Sequence, residues 1–240
     1  MYLFISDLHL SPERPQITRQ FLDFLRDTAQ GASALYILGD LFDAWAGDDD
    51  LDAPLHREIA DSLRQLRESG PRLYLMHGNR DFLFGAKFAQ ACGAELLSDP
   101  TLIDLFGTRT LLMHGDLLCT DDVAYQNFRA KVRHPVVQAL FRLQPLALRK
   151  RLIGKLRSTS ESAKSGKSEV IMDVSVETVE KVLRENGCPR LIHGHTHRPA
   201  RHVHRIDGRE CERWVLSDWY ERGSYLLCDE TGCRSVLVND

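Results

Sequence analysis

Five short motifs place metal-ligand side chains at the ends of apolar runs: Asp7-Leu8-His9, Gly39-Asp40, Gly78-Asn79-Arg80-Asp81, His114-Gly115-Asp116 and Gly194-His195-Thr196-His197. The candidate ligands among them, Asp7, Asp40, Asn79, His9, His114, His195 and His197, exceed the needs of one ion and suit a pair of divalent ions. Asp40 is the natural bridge, because one carboxylate can place an oxygen on each ion. Asp7 and His9 lie one residue apart and can both turn toward the carboxyl edge of a strand. His195 and His197 flank a small turn and can reach both ions. Asn79 adds a neutral oxygen and His114 an imidazole nitrogen. Carboxylate, amide and imidazole without thiolate suit Mn²⁺, Fe²⁺ or Zn²⁺ and argue against a structural zinc site. Two such ions about 3.5–4 Å apart can activate a bridging water and neutralise a phosphoryl group. The chemistry is then hydrolysis of a phosphate ester or phosphoanhydride. Taken singly, a histidine is more often a surface or core residue and a Gly-Asp more often a turn. All five motifs in this order, each after an apolar run, leave little room for that reading.

The runs that must position these groups read as strands over Tyr2–Ile5, 35–38, 73–76, 111–113 and 191–192. In an open α/β sheet, ligands bind beyond the carboxyl ends of the strands, so groups scattered along the chain can meet. Helical patterns over 15–29, 54–69 and 84–93 alternate with the strands. Leu55, Ile59, Leu63 and Leu66 repeat at helical spacing. That alternation predicts parallel strands with right-handed crossovers. From Asp121 to about Glu185 the strand signal vanishes. Helices are expected over 124–133, 135–143, 145–157, about 160–167 and 174–186, the last stopped by Gly187. Beyond Arg201, turns at Asp207-Gly208, Arg222-Gly223 and Thr231-Gly232 predict antiparallel strands that complete a second sheet. The expectation is an α/β chain with one domain over 1–240. A helical insertion at about 123–167 would cap the strand ends.

The 240 residues suffice for one full core, and the composition is that of an ordinary soluble protein. The net charge of −3 hides an uneven distribution. Between Arg129 and Lys167 stand eleven Lys or Arg against the single acid Glu161, about +10, which leaves about −13 elsewhere. Within this stretch Leu148, Leu152, Ile153 and Leu156 form an apolar stripe flanked by Arg149, Lys150, Arg151, Lys155 and Arg157. The stripe either packs on the body or forms a cover that holds acyl chains, with cations facing phosphates or an anionic membrane. Cations interleaved with leucine rather than stacking aromatics argue against nucleic acid. The six Cys show no C-x-x-C, and the chain opens on a strand rather than a secretory signal. Free thiols in a reducing cytoplasm are therefore expected. No apolar run approaches the ~20 residues of a spanning helix. His77 and His193 are expected to take core or supporting roles; His56, His134, His202 and His204 are unassigned.

The order D-x-H, GD-x-x-D, GN-x-D, HGD, GHTH resembles the calcineurin-like metallophosphoesterases. That resemblance implies a four-layer αββα fold with a dinuclear centre. It implies Asp7, His9, Asp40 and His197 as ligands of one ion, and Asp40, Asn79, His114 and His195 as ligands of the other. Most members carry His after the Gly-Asn, where it can protonate a leaving alkoxide. Arg80 cannot act as an acid near pH 7. A phosphate monoester, with a second pKa of about 6, leaves without such help. Arg80 can also bind phosphate oxygens bidentately. The substitution favours P–O–P cleavage, unless Arg80 is merely paired with Asp81 or another acid.

Gly78-Asn79-Arg80-Asp81-Phe82-Leu83, the run from His114 to Asp122 and the basic insertion together resemble the UDP-2,3-diacylglucosamine diphosphatases of lipid A biosynthesis. That family comprises peripheral enzymes on the cytoplasmic side of the inner membrane that use Mn²⁺. They cleave at the α-phosphorus, releasing UMP and 2,3-diacylglucosamine 1-phosphate (lipid X). The resemblance implies catalytic roles for Asp40, Asn79, Arg80, His114 and His195. It implies substrate contacts at Asn79, Arg80, Asp122, Ser160, Lys164, Lys167 and His195. Ser160, Lys164 and Lys167 would share one helix face. An anionic membrane surface is the expected partner; no obligate protein partner is evident. The competing readings are a broader phosphoesterase acting on cyclic nucleotides or dinucleoside polyphosphates, and a metal-bearing scaffold without activity.

Overall fold

The computed structural model describes residues 1–164, 173–187 and 190–238. Its first half alternates as expected: β1 (Tyr2–Ile5), α1 (Pro15–Asp27), β2 (Ala34–Leu38), α2 (Pro54–Glu68), β3 (Arg72–Met76), α3 (Ala86–Cys92) and β4 (Glu95–Leu97). β1 through β4 pair in parallel, in chain order. Then come β5 (Thr101–Leu105), β6 (Thr108–Leu112), three inserted helices α4 (Val123–Val132), α5 (Pro135–Arg142) and α6 (Leu146–Lys164), and α7 (Val176–Asn186). The chain closes with β7 (Arg190–His193), β8 (Ala200–Ile206), β9 (Arg209–Val215), β10 (Ser224–Asp229) and β11 (Gly232–Leu237). Among the described residues the sheets run β11-β10-β1-β2-β3-β4 and β5-β6-β7-β9-β8.

Side-chain alternation explains the layering, since successive strand residues face opposite sides. Leu3, Ile5, Leu35, Ile37, Leu73 and Leu75 face a core built with Phe21, Phe24, Ile59, Leu63 and Phe88 of α1–α3. Their neighbours Phe4, Tyr36, Leu38 and Met76 face Leu105, Leu112 and Ile192 of the second sheet. On the far side, Leu111 and Leu191 pack with Val179 and Leu183 of α7. The order is therefore helices, sheet, sheet, helix, the expected αββα sandwich. β1, β2 and β7 are buried along nearly their whole length, on both faces, which is why they read as continuous apolar runs.

Several expectations need correction. β6 was expected to continue the alternation of β1–β3; it lies in the second sheet, antiparallel to β5 and parallel to β7. The tail does not build one sheet. β8 and β9 extend the second sheet, while β10 and β11 join β1 and extend the first. The expected break between 157 and 160 is absent, because α6 runs on to Lys164. The expectation of free thiols fails at Cys228 and Cys233. They sit opposite each other on β10 and β11 with Cα atoms 4.1 Å apart and form a disulfide. Cys92, Cys119 and Cys211 are buried and outside any disulfide.

Candidate metal centre

β1 and β2 are parallel, so the loops that leave them run side by side. Asp7 N–H donates to Gly39 O at 3.1 Å and His9 N–H to Asp40 O at 2.9 Å. The same ladder brings Asp7, His9 and Asp40 to one sheet edge. The second sheet delivers His114 after β6 and His195 and His197 after β7, across the sandwich from the first. Asp7, His9, Asp40, His195 and His197 all have positive φ, between 49° and 69°. Only Phe106 and Asp207 share that property among the other described non-glycine residues. Such conformations cost of order 1–3 kcal/mol each and persist where the surroundings impose them. Their gathering at one edge marks a built site.

The side chains converge. His9 Nε2 lies 3.3 Å from His197 Nε2, 3.9 Å from Asp7 Oδ1 and 3.7 Å from Asp40 Oδ2. His197 Nε2 lies 3.4 Å from Asp7 Oδ1. On the other side of Asp40, His114 Nε2 is 3.9 Å from the same Oδ2 and 3.0 Å from Asn79 Oδ1. Asp40 Oδ2 thus stands between the two histidine groups. The His195 ring packs 5.0 Å from that of His114, centroid to centroid, and its backbone N–H donates to Asp7 Oδ2 at 2.8 Å. Asp7, His9 and His197 form one set of close donor atoms; Asp7, Asp40 and His114 form another. All seven residues singled out in the sequence meet here. Glycine permits the approach: a Cβ on Gly78 would lie 2.0 Å from Asp40 Oδ1, and one on Gly194 would lie 2.2 Å from Asp7 Oδ2.

The donor set fits divalent ions. It offers carboxylate and amide oxygens and imidazole nitrogens, all with N or O chemistry. Asp7 Oδ1 and His9 Nδ1 are buried without a hydrogen-bond partner. Charge points the same way. Burial alone would lower His114 and His197. The carboxylates of Asp40, Asp7 and Asp116 outweigh it at His114, and those of Asp218 and Asp7 at His197, pushing each up to about 9. Burial would raise Asp7, but His197, His114 and His9 hold it well below the usual carboxylate range. Burial keeps His9 neutral and raises Asp40. A nest of carboxylates that draws protons onto imidazoles is one that calls for cations.

Supporting groups surround the ligands; sequence reasoning missed Asp218 and Tyr220 and offered Asp81 only as a possible partner of Arg80. Asp218 Oδ2 sits 3.0 Å from His197 Nδ1, and Tyr220 stacks on His9 at 5.4 Å. Asp81 accepts from the Gly78 and Phe42 amides, and burial beside Asp40 pushes it up to about 7. Its oxygens are thereby occupied, and among the described residues Arg80 has no carboxylate at salt-bridge distance. Arg80 instead lines a cavity, and its backbone N–H donates to Asp40 Oδ1 at 2.8 Å. His193 takes the supporting role expected: it is buried, accepts from Arg213 at 3.2 Å and is held down to about 3 by burial and that guanidinium.

The cavity has a volume of about 540 Å³. Its polar lining includes Asn79, Arg80, Asp122, His195 and His197. Its apolar lining includes Phe82, Phe128, Val137, Phe141, Ile153 and Leu156, mostly from α4, α5 and α6. Of the expected apolar stripe, Ile153 and Leu156 reach it; Leu148 and Leu152 do not. The basic flank also behaves differently from expectation. Arg149 is buried and donates to Ala46 O and Asp49; Lys150 pairs with Asp50 at 2.6 Å and Arg157 with Asp43. These cations hold α6 to the body. Ser160 and Lys164 fall in the last turns of α6, and Lys167 lies outside the described residues.

Ligands from both sheets that meet beyond the strand ends define a metal-dependent phosphoesterase. The chain belongs to the calcineurin-like phosphoesterase family, whose model matches residues 2–199. It is 54% identical, over 96% of its length and 94% of the relative's, to the UDP-2,3-diacylglucosamine hydrolase of Aromatoleum aromaticum. The proteins of the same name from Cellvibrio japonicus and Pseudomonas aeruginosa are each 53% identical. Those matches cover 96% and 98% of this chain and 95% and 97% of the respective relatives. No helix among the described residues is long and apolar enough to cross a membrane.

Proposed function

We propose that this chain hydrolyses the pyrophosphate of UDP-2,3-diacylglucosamine, with water attacking the α-phosphorus to give UMP and 2,3-diacylglucosamine 1-phosphate. The observation that carries the reading is the mixed lining of one cavity. Metal-ligand side chains and Arg80 share it with aromatic and aliphatic side chains. A substrate that carries both phosphates and acyl chains matches that lining. The names of the relatives support the same substrate.

Asp7, His9, Asp40 and His197 hold one ion in this reading; Asp40, Asn79, His114 and His195 hold the second, and Mn²⁺ is the metal. When bound, such ions supply positive charge to phosphoryl oxygens and make water nucleophilic near neutral pH. Arg80, free of a carboxylate partner, binds the phosphate that departs, and no acid is needed because that phosphate is a good leaving group. Asp122, which lines the cavity, contacts the substrate in this reading, as do Ser160, Lys164 and Lys167. Helix α5 presents Val136, Leu140 and Leu143, each more than half exposed, beside a basic segment. That surface suits peripheral attachment to the anionic cytoplasmic face of the inner membrane.

The test is turnover of diacylated against deacylated UDP-glucosamine in ¹⁸O-water with Mn²⁺. The expected result is strong preference for the diacylated substrate and label in UMP. Equal turnover would remove the acyl role of the cavity, and label in the sugar phosphate would place attack at the β-phosphorus.

A further inference from the structure

We propose that Asp43 is a positioning residue that ties Arg157 of α6 to the metal-ligand histidine His9. The inference rests on the metal reading above. His9 turns Nε2 toward Asp7, Asp40 and His197, so Nε2 is the nitrogen that would face an ion. Nδ1 must then carry the ring proton, and a ligand histidine ordinarily gives that proton to an acceptor that fixes tautomer and ring orientation. His9 Nδ1 is buried and without a hydrogen-bond partner. The carboxylate oxygen facing it is Asp43 Oδ1, at 3.9 Å.

The position of Asp43 is decided by two guanidiniums. Arg14 Nη2 donates to Asp43 Oδ2 at 2.9 Å and also to His9 O at 3.2 Å. Arg14 further lies 4.6 Å over the ring of Tyr220, which itself stacks on His9. That grip belongs to the body. The second guanidinium, Arg157, comes from α6 and pairs with the same Oδ2. Asp43 is almost fully buried, so a carboxylate there depends on both cations. Arg157 also lines the cavity that reaches His195 and His197. Seating of α6 over the cavity and orientation of His9 are thus joined through one carboxylate. By linkage, whatever loosens α6 loosens the ion at His9, and metal at His9 steadies α6.

Mn²⁺ titrations of the wild type, Asp43→Ala, Asp43→Asn and Arg157→Gln, read by electron paramagnetic resonance of bound and free metal, test this. Asp43→Ala is expected to weaken one of the two ions by about 10–100-fold and leave the other unchanged. Asp43→Asn keeps an acceptor oxygen and should recover part of the loss. Arg157→Gln should weaken the same ion by a smaller factor, and amide exchange should rise in α6. Wild-type affinity in Asp43→Ala overturns the inference. Wild-type affinity in Arg157→Gln alone overturns the tie to α6. If Asp43→Ala does not fold, Asp43→Asn and Arg157→Gln decide by the same readout. A wild type that binds no Mn²⁺ would instead sink the metal reading itself.

Discussion

The body and the inserted helices are held by different forces. α1 and α2 bury Phe21, Phe24, Ile59 and Leu63 against the first sheet. α4 and α5 bury no side chain fully, and Val123, Val136, Leu140 and Leu143 stand more than half exposed. Apart from Phe141 and Ile153, which pack against the core, what seats the inserted helices is charge. Arg129 and Tyr125 bond the buried Asp116, Arg149 pairs with Asp49, Lys150 with Asp50 and Arg157 with Asp43. The basic module and acidic body seen in the sequence are the two sides of a seam. A metal centre needs rigid walls, which apolar burial supplies at high density. A cavity for a lipid needs a cover that leaves apolar surface unfilled, and ion pairs around the edge allow that.

The largest effect should fall on the body. Asp40→Ala is expected to abolish hydrolysis, because Asp40 Oδ2 stands between the two histidine groups. Metal content by mass spectrometry should fall with it. A variant with full metal content and measurable turnover would break the assignment. Arg80→Ala comes next. Loss of a donor that stabilises transition-state charge commonly costs ~100- to 1000-fold in turnover. Bound metal should stay at the wild-type level, since the hydrogen bond by which Arg80 holds Asp40 comes from its backbone N–H and survives the change. A variant that loses metal would make Arg80 structural.

Metal binding should also depend on pH in a definite direction. His114 and His197 are pushed up to about 9 without metal, so both carry protons near pH 7. An ion must displace those protons, so affinity rises as pH rises from 7 toward 9 and flattens above it. Calorimetry in buffers of different ionisation enthalpy should show proton release at pH 7 that vanishes above 9. Release that does not change with pH would contradict the electrostatics of the site.

The comparison also shows what could be read from sequence. The centre was legible because every ligand follows a strand whose last residues are buried, so position and chemistry coincide. The αββα layering was legible in part, through the resemblance rather than through strand counting. Asp207-Gly208 announced its hairpin, with φ of 51° and 77° at an Asp-Gly pair suited to a tight primed turn. The β5–β6 hairpin turns the same way at Phe106-Gly107, φ 54° and 81°, but phenylalanine is no turn signal there and β5 was missed. Asp43 and Asp116 stand inside the GD-x-x-D and HGD motifs, which do not say what these acids touch; Asp218 escaped altogether, because an acid's partner is set by tertiary approach and nothing in its neighbours marks it. The cations of 149–157 were read as facing outward for the same reason. Helical spacing says which residues share a face but not what lies opposite.

A smaller effect separates the walls of the cavity from its outer surface. Ile153→Ser or Leu156→Ser should reduce turnover of diacylated substrate far more than of a water-soluble analogue, since each methylene returned to water costs roughly 0.8 kcal/mol. Leu148→Ser and Leu152→Ser, outside the lining, should discriminate much less. Equal losses on both substrates at all four positions would mean that the stripe only packs.

The smallest effect concerns the two cations at the start of α6. Arg151 is exposed, and Lys150 is bound to the buried Asp50. Arg151→Glu should weaken association with anionic vesicles by ~1 kcal/mol per charge removed, and added salt should erase the difference. Its hydrolysis of detergent-dispersed substrate should stay at the wild-type rate. Lys150→Glu makes a sharper demand, because it sets a carboxylate against Asp50 and so strains the seam as well as the surface. It should lose vesicle binding by a similar factor and also lose rate on dispersed substrate, with that second loss insensitive to vesicle composition. If the two variants behave alike in both assays, Lys150 contributes nothing to the seating of α6, and the seam rests on Arg149, Arg157 and Asp116.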